Sequence, residues 1–319
     1  MSEKLLEVKN LKKYFKQPSG YLHAVDDVSF SINTGETLGV VGESGCGKST
    51  LGRVILHLLD CNDGEILYKG ENITRISRSK LGMLRKEMQI IFQDPYSSLD
   101  PRKTVYQTIS EPIEIKKLYA GEKLRHRVFE LMETVGLSRR YVNTYPHELD
   151  GGRRQRIGIA RALALNPNFI VCDEPVSALD VSIQAQILNL LMDIQEQMGL
   201  TFLFITHDLS VVKHISNSVI VMYLGQIVEQ ASSDEIFNEQ LHPYTKALLS
   251  AIPIPKVRKQ KERILLKGEI TSPINPSPGC RFAARCNFMK PECLESEPEL
   301  YEFKKDHYVK CFYANDLNK

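Results

Sequence analysis

The sequence predicts an α/β fold, a mainly parallel sheet interrupted by a helical insertion and followed by a small cysteine-rich extension. Three observations predict it. Short apolar runs alternate with helix-periodic segments along most of the chain. A glycine-bearing stretch, GESGCGKST, stands between one such run and one such helix. After about residue 250 the composition changes: prolines recur, and four of the seven cysteines gather near the end.

The elements follow in chain order. Residues 5–9 and 24–31 alternate apolar with polar and read as antiparallel strands. Residues 37–41 are apolar with little alternation, as suits a strand covered on both faces, and lead through GESGCGKST into a helix over 51–58. Residues 88–92, 169–173, 202–206 and 219–223 are further buried strands. Between 101 and 165 the pattern is mainly helical, most clearly over 123–135 and 152–165. Beyond it, Pro253, Pro255, Pro273, Pro276 and Pro278 interrupt any helix. Within residues 253–268, Lys256, Arg258, Lys259, Lys261, Arg263 and Lys267 oppose only Glu262, which reads as a solvated linker or as a contact with an anionic surface.

The composition narrows the function classes. The chain has 319 residues, 42% apolar and 25% charged, a globular balance of a size that suits one large domain with an appendage. Its net charge of +2 gives no general electrostatic reason to bind nucleic acid or anionic lipid. No apolar run approaches the ~18–20 residues of a membrane span, and MSEKLLEVKN lacks a signal-peptide core, so a cytoplasmic protein is expected. Cytosolic thiols stay reduced, which argues against a disulfide framework.

Gly42-Glu43-Ser44-Gly45-Cys46-Gly47-Lys48-Ser49 fits the pattern of a phosphate-binding loop, against the competing reading of a chance glycine-rich turn. Glycines let successive amides converge on an anion, and the following helix adds its positive end. The candidate nucleotide contacts are Gly42, Ser44, Gly45, Cys46, Gly47, Lys48, Ser49 and Thr50. Lys48 would reach the outer phosphates, and the Ser49 hydroxyl would ligate Mg²⁺. Cys46 fills a free position of the motif and carries no redox role. The run FIVCDE ends an apolar strand in two carboxylates: Asp173 suits the Mg²⁺ shell, and Glu174 suits orienting or deprotonating a water. ATP hydrolysis is the leading chemistry.

Further motifs separate the phosphate-loop families. Gln93 follows a strand in QIIFQDP; HELDGGRRQRIGIARAL spans residues 147–163; SALD ends at Asp180; His207 follows FLFIT. With these in order, the chain resembles the ATP-binding cassette (ABC) ATPases over about residues 5–250. The resemblance implies a RecA-like mixed-sheet core over 1–95 and 166–250, a helical signature subdomain over 96–165, and an extension over 251–319. It also implies that Tyr14 stacks on adenine. Gln93 would serve the Mg²⁺ site and link it to the helical insertion, Asp180 communicate across a dimer, and His207 contact the γ-phosphate. Asp150, Gly151, Gly152 and Arg153 fall on the signature sequence, which in this family faces the ATP of the opposite subunit.

The signature departs from the usual Leu-Ser-Gly-Gly-Gln, with Asp150 for Ser and Arg153 for Gln. Asp caps a helix as well as Ser does, but it repels phosphate where Ser donates. Like charges ~4 Å apart at an effective dielectric of about 20 cost on the order of 4 kcal/mol. Arg153 lies one turn along and offsets part of that charge. A weakened site in an unequal dimer and a tolerated substitution are both open.

The stretches QDPYSSLDPRKTV, HPYTKALLSAIP and INPSPGCRFAARC are similar to the ATPase subunits of bacterial dipeptide and oligopeptide importers. That resemblance implies a second, non-identical ATPase, two transmembrane permease subunits, a substrate-binding protein, no nucleic acid, and a peripheral position on the cytoplasmic membrane face. Tyr96 is a candidate contact for a permease helix. Importers for nickel share the architecture and stay open, as do a non-transport ABC ATPase and a metal-binding adaptor. Cys280, Cys286, Cys293 and Cys311 follow C-x₅-C-x₆-C-x₁₇-C, which lacks the tight knuckle of structural zinc. The family association is a [4Fe–4S] cluster, with Zn²⁺ or free thiols as alternatives.

Overall fold

The computed structural model describes residues 3–252, 263–268 and 273–318. Most of the basic run, from Lys256 to Glu262, lies outside the described residues. The chain divides into two compact units, one of Asn33–Glu36 and Ile76–Ile205, the other of Glu3–Ile32, Thr37–Arg75 and Thr206–Lys319.

In the first unit Phe169–Asp173 lies between Met88–Ile91 and Thr201–Ile205, parallel to both. Every residue of Phe169–Asp173 and of Thr201–Ile205 is buried, which explains why their sequences run apolar without alternation. The helices Val105–Ile115, Gly121–Thr134 and Gly151–Leu163 pack on one another. A capping box starts the first of them: Gln107 N donates to Thr104 Oγ1 at 3.3 Å, and Thr104 N to Gln107 Oε1 at 2.9 Å. The longest helix, Val181–Met198, is not anticipated by the motif-led reading. It buries Ile187, Leu188, Leu191 and Ile194 on one face and ends at Gly199 in the left-handed region.

The second unit holds two sheets. In one, Gly20–Asn33, Lys4–Gln17, Asp63–Tyr68 and Glu71–Asn72 follow in that order. In the other, Thr37–Val41 runs parallel to Ser218–Tyr223, whose other edge pairs antiparallel with Gln226–Ser232. His307–Val309 adds to Gln226–Ser232, and Tyr301–Lys304 to His307–Val309. The cysteine-rich segment is therefore not a separate appendage, because its hairpin extends the sheet.

Two buried features explain this. Glu229 is 0% exposed and accepts from Leu241 N at 2.8 Å and His242 N at 2.9 Å, while His307 Nε2 lies 2.8 Å from its carboxylate. A buried carboxylate needs such partners, and here they tie Gln226–Ser232 to the terminal hairpin. Phe282 packs edge-on against Tyr223, with ring centroids 5.2 Å apart, and sits 5.5 Å from Tyr244 and from His242. The segment shares the unit's core because it has too little apolar surface for one of its own.

His242 is buried and accepts from Tyr244 N at 3.1 Å through Nδ1, capping Pro243–Ser250. Burial lowers its pKa from 6.5 to about 4, against a smaller opposing effect of Glu229. The neutral imidazole therefore stabilises the fold fully above its unfolded pKa, and that contribution is lost as pH falls from 6.5 towards about 4. His242→Asn keeps an acceptor at the cap without titrating. Between about pH 7 and pH 4.5 its thermal midpoint should fall less than that of the natural protein; parallel pH curves would contradict this assignment.

Candidate nucleotide site

In the second unit the buried strand Thr37–Val41 opens into the glycine loop, and the helix Lys48–Ile55 follows. Gly47 caps that helix with φ +103°, where an added Cβ would meet Ala24 O at 1.9 Å. Only glycine satisfies both conditions. Lys48 is 4% exposed, and its Nζ donates to Gly42 O at 2.8 Å and Glu43 O at 3.0 Å. Ser44 and Gly45 are exposed, while Ser49 and Thr50 are half-buried in the first helical turn. Cys46 is buried, and burial raises its thiol pKa, which keeps it protonated.

The loop is held from outside the motif. Glu43 N donates to Tyr244 Oη at 2.9 Å. The Glu43 carboxylate accepts two bonds from Arg285, from Nη1 at 2.6 Å and Nη2 at 3.2 Å. Tyr14 is half-buried, its ring stacked on His23 with centroids 4.0 Å apart, and its phenol donates to Asp26. His23 Nδ1 also lies 2.9 Å from Asp26, and the Arg281 guanidinium pairs with the same carboxylate. Burial opposes ionisation of Asp26, yet the bonds from Tyr14 and His23 and the Arg281 charge outweigh it and hold the carboxyl below its usual range. Sequence reasoning missed His23 and Asp26, which belong to no motif, and Arg281 and Arg285, which lie more than 240 residues from the carboxylates they meet.

The carboxylate pair stands in the first unit. Asp173 ends its strand 2% exposed. Glu174 takes φ +47°, a left-handed backbone uncommon for a non-glycine residue, with its N–H on Ile205 O at 2.9 Å. Gln93 is exposed, and its Nε2 donates to Glu174 Oε2 at 3.0 Å, so these two predicted residues meet directly. His207 is in the second unit, exposed just beyond the strand Thr201–Ile205.

The signature begins the helix Gly151–Leu163. Asp150 Oδ1 accepts from Arg153 N at 2.8 Å as the N-cap, and its other oxygen pairs with the Arg153 guanidinium. An added Cβ on Gly152 would meet Ile183 Cγ2 at 2.8 Å, so this glycine serves close packing of two helices within the chain. Asp180 precedes Val181–Met198 and is exposed, beside a Val181 that is 81% exposed. Tyr96 is exposed, with the Arg154 guanidinium 5.1 Å over its ring.

Cys280, Cys286, Cys293 and Cys311 are free thiols lining one cavity with Phe282, Phe288 and Phe312. Burial raises Cys280 to about 11 and moves Cys286 and Cys311 upward. Among the described residues no group of three or more His, Cys, Asp or Glu is arranged to hold a metal ion. The expected [4Fe–4S] or Zn²⁺ ligand set at Cys280, Cys286, Cys293 and Cys311 is thus not shown among the described residues, although the four thiols line one cavity.

Among the described residues no helix is long and apolar enough to cross a membrane. Residues 25–177 match the ABC transporter family, and residues 228–293 match the oligopeptide/dipeptide transporter C-terminal region. The oligopeptide transport ATP-binding protein AppF of Bacillus subtilis (strain 168) is 51% identical over 319 residues, covering 97% of each chain. The oligopeptide transport ATP-binding protein OppF of Escherichia coli (strain K12) is 49% identical over 98% of this chain and 94% of its own. The solved dimer of the ATP-binding cassette MJ0796 with ADP and Pi superposes with a TM-score of 0.66 at 30% identity, over 72% of this chain and 99% of that one. With the phosphate loop, the carboxylate pair and the capped signature helix in place, the chain belongs to the ATP-binding proteins of the ABC transporter family.

Proposed function

We propose that this chain hydrolyses ATP to power import of oligopeptides or dipeptides, paired with a second ATPase beneath two permease subunits on the cytoplasmic face of the membrane. A substrate-binding protein would deliver the peptide. Whole-length similarity to oligopeptide transport ATP-binding proteins supports the substrate class, and the dimeric MJ0796 cassette supports pairing. The chemistry rests on one observation above the rest: Glu174 is held in a left-handed backbone with Gln93 on its carboxylate.

In this reading the loop amides and Lys48 bind the phosphates, and Tyr14 carries the adenine. The Ser49 hydroxyl and the Asp173 carboxylate are the hard oxygen donors that suit Mg²⁺, which when bound neutralises developing phosphate charge. Glu174, oriented by Gln93, takes a proton from water as its oxygen attacks the γ-phosphorus and ADP leaves. His207 contacts the γ-phosphate. Asp180 and the exposed Val181 face the partner ATPase, and Tyr96 a permease helix. Glu174→Gln should lower turnover at least a hundredfold and trap an ATP-bound dimer with the partner ATPase. Normal turnover would refute the general-base role.

We also infer that the signature of this chain completes a weaker ATP site than a Ser-bearing signature does. Asp150 already commits both oxygens to Arg153, which mutes but does not remove its repulsion of phosphate. Asp150→Ser in the assembled transporter should raise ATPase turnover about three- to tenfold, measured against the natural pair. An unchanged rate removes the argument.

The four cysteines we assign to a [4Fe–4S] cluster. Four soft thiols line one cavity, and their C-x₅-C-x₆-C-x₁₇-C spacing lacks the tight knuckle of structural zinc. Bound there, a cluster would cross-link Cys280, Cys286 and Cys293 to Cys311. Anaerobically purified protein should absorb near ~400 nm and carry iron and sulfide in about equal amounts, and Cys293→Ser should lose both. Colourless protein with stoichiometric zinc would overturn the assignment.

A further inference from the structure

The segment from Cys280 to Cys286 carries two arginines, each beside a cysteine, and both reach the nucleotide half-site of the second unit. Arg285, next to Cys286, forks onto Glu43 of the phosphate loop. Arg281, next to Cys280, pairs with Asp26, the carboxylate that anchors both Tyr14 and His23. The arginine side chains are only 5% and 9% exposed. Burying a guanidinium is costly unless its hydrogen bonds are well formed, and its planar fork then fixes the orientation of the carboxylate it meets.

The two contacts are joined through backbone. Arg281 also donates to Leu224 O. The next residue, Gly225, donates its N–H to Cys46 O at 2.9 Å and accepts from Asp26 N at 2.8 Å. One turn of chain thus touches the loop and the Tyr14 anchor together, and Arg281 holds that turn. Between the arginines Phe282 packs on Tyr223 and Tyr244, and the Tyr244 hydroxyl accepts from Glu43 N. Each arginine thus stands next in sequence to a cysteine that lines the four-cysteine cavity.

We propose that Arg281 and Arg285 are positioning residues of the nucleotide site, Arg285 setting the phosphate loop through Glu43 and Arg281 setting Tyr14 through Asp26. The inference rests on the reading that this loop binds ATP. It separates the two arginines by the part of the ligand each one serves.

The test is calorimetric binding of ATP and of inorganic tripolyphosphate to the full-length protein, with the thermal midpoint recorded in parallel. Arg285→Gln should weaken both ligands about tenfold, equivalent to ~1.4 kcal/mol. Arg281→Gln should weaken ATP by a similar factor and tripolyphosphate by less than about twofold. Glu43→Gln should reproduce Arg285→Gln, and the double variant should be no worse than either, as expected of one coupled pair. Arg285→Lys, which keeps the charge without the fork, should lie between and covers the case of a poorly folding Gln variant. Lowered thermal midpoints with unchanged affinities would overturn the proposal, as would equal losses of both ligands in Arg281→Gln. Lys48→Ala separates the layers. If the natural protein binds no ATP and Lys48→Ala changes nothing, the ATP reading itself fails. If Lys48→Ala abolishes binding while the arginine variants bind normally, only the positioning inference fails.

Discussion

A loop of backbone amides can grip an anion only if the chain around it is forced into conformations it would not take alone. Here that constraint is met at Gly47, where a left-handed backbone and the Ala24 carbonyl leave no room for a side chain. The buried strand Thr37–Val41 anchors one end of the loop and the helix Lys48–Ile55 the other. The Lys48 ammonium, taken out of water, turns inward onto the loop carbonyls. The phosphate chemistry of the second unit depends on this arrangement.

Strain and pairing play the corresponding part in the first unit. Glu174 sits where an L-residue costs about 1 kcal/mol or more, and the Ile205 carbonyl holds its amide there. Such a cost is kept where a side chain must point one way, and the Gln93 amide meets it. The signature shows the opposite economy. Asp150 caps its helix as Ser would, and Arg153 takes up the extra charge, so the fold tolerates the departure.

The cysteine-rich segment changes meaning once it is seen in place. On paper it is a proline-punctuated tail with too little apolar content to fold. In the molecule its hairpin completes the sheet edge at Gln226–Ser232, and Phe282 enters the core beside Tyr223 and Tyr244. Its two arginines reach carboxylates that precede them by most of the chain.

The local chemistry is legible in the residues alone. The glycine loop, the apolar strand closed by Asp173 and Glu174, the capped signature helix and the buried parallel strands are all written in contiguous residues, where sterics and hydrophobic period act over a few positions. The strand Asp63–Tyr68 and the helix Val181–Met198 were less legible, because the strand buries only Ile66 and Tyr68 and the helix only Ile187, Leu188, Leu191 and Ile194, too few positions to stand out beside a motif. That Gln93 meets Glu174, that Asp26 gathers Tyr14, His23 and Arg281, and that Glu43 belongs to Arg285 emerges from the folded chain and from no local pattern. A buried charge is satisfied by whichever partner the packing brings near, and packing is settled by the whole core.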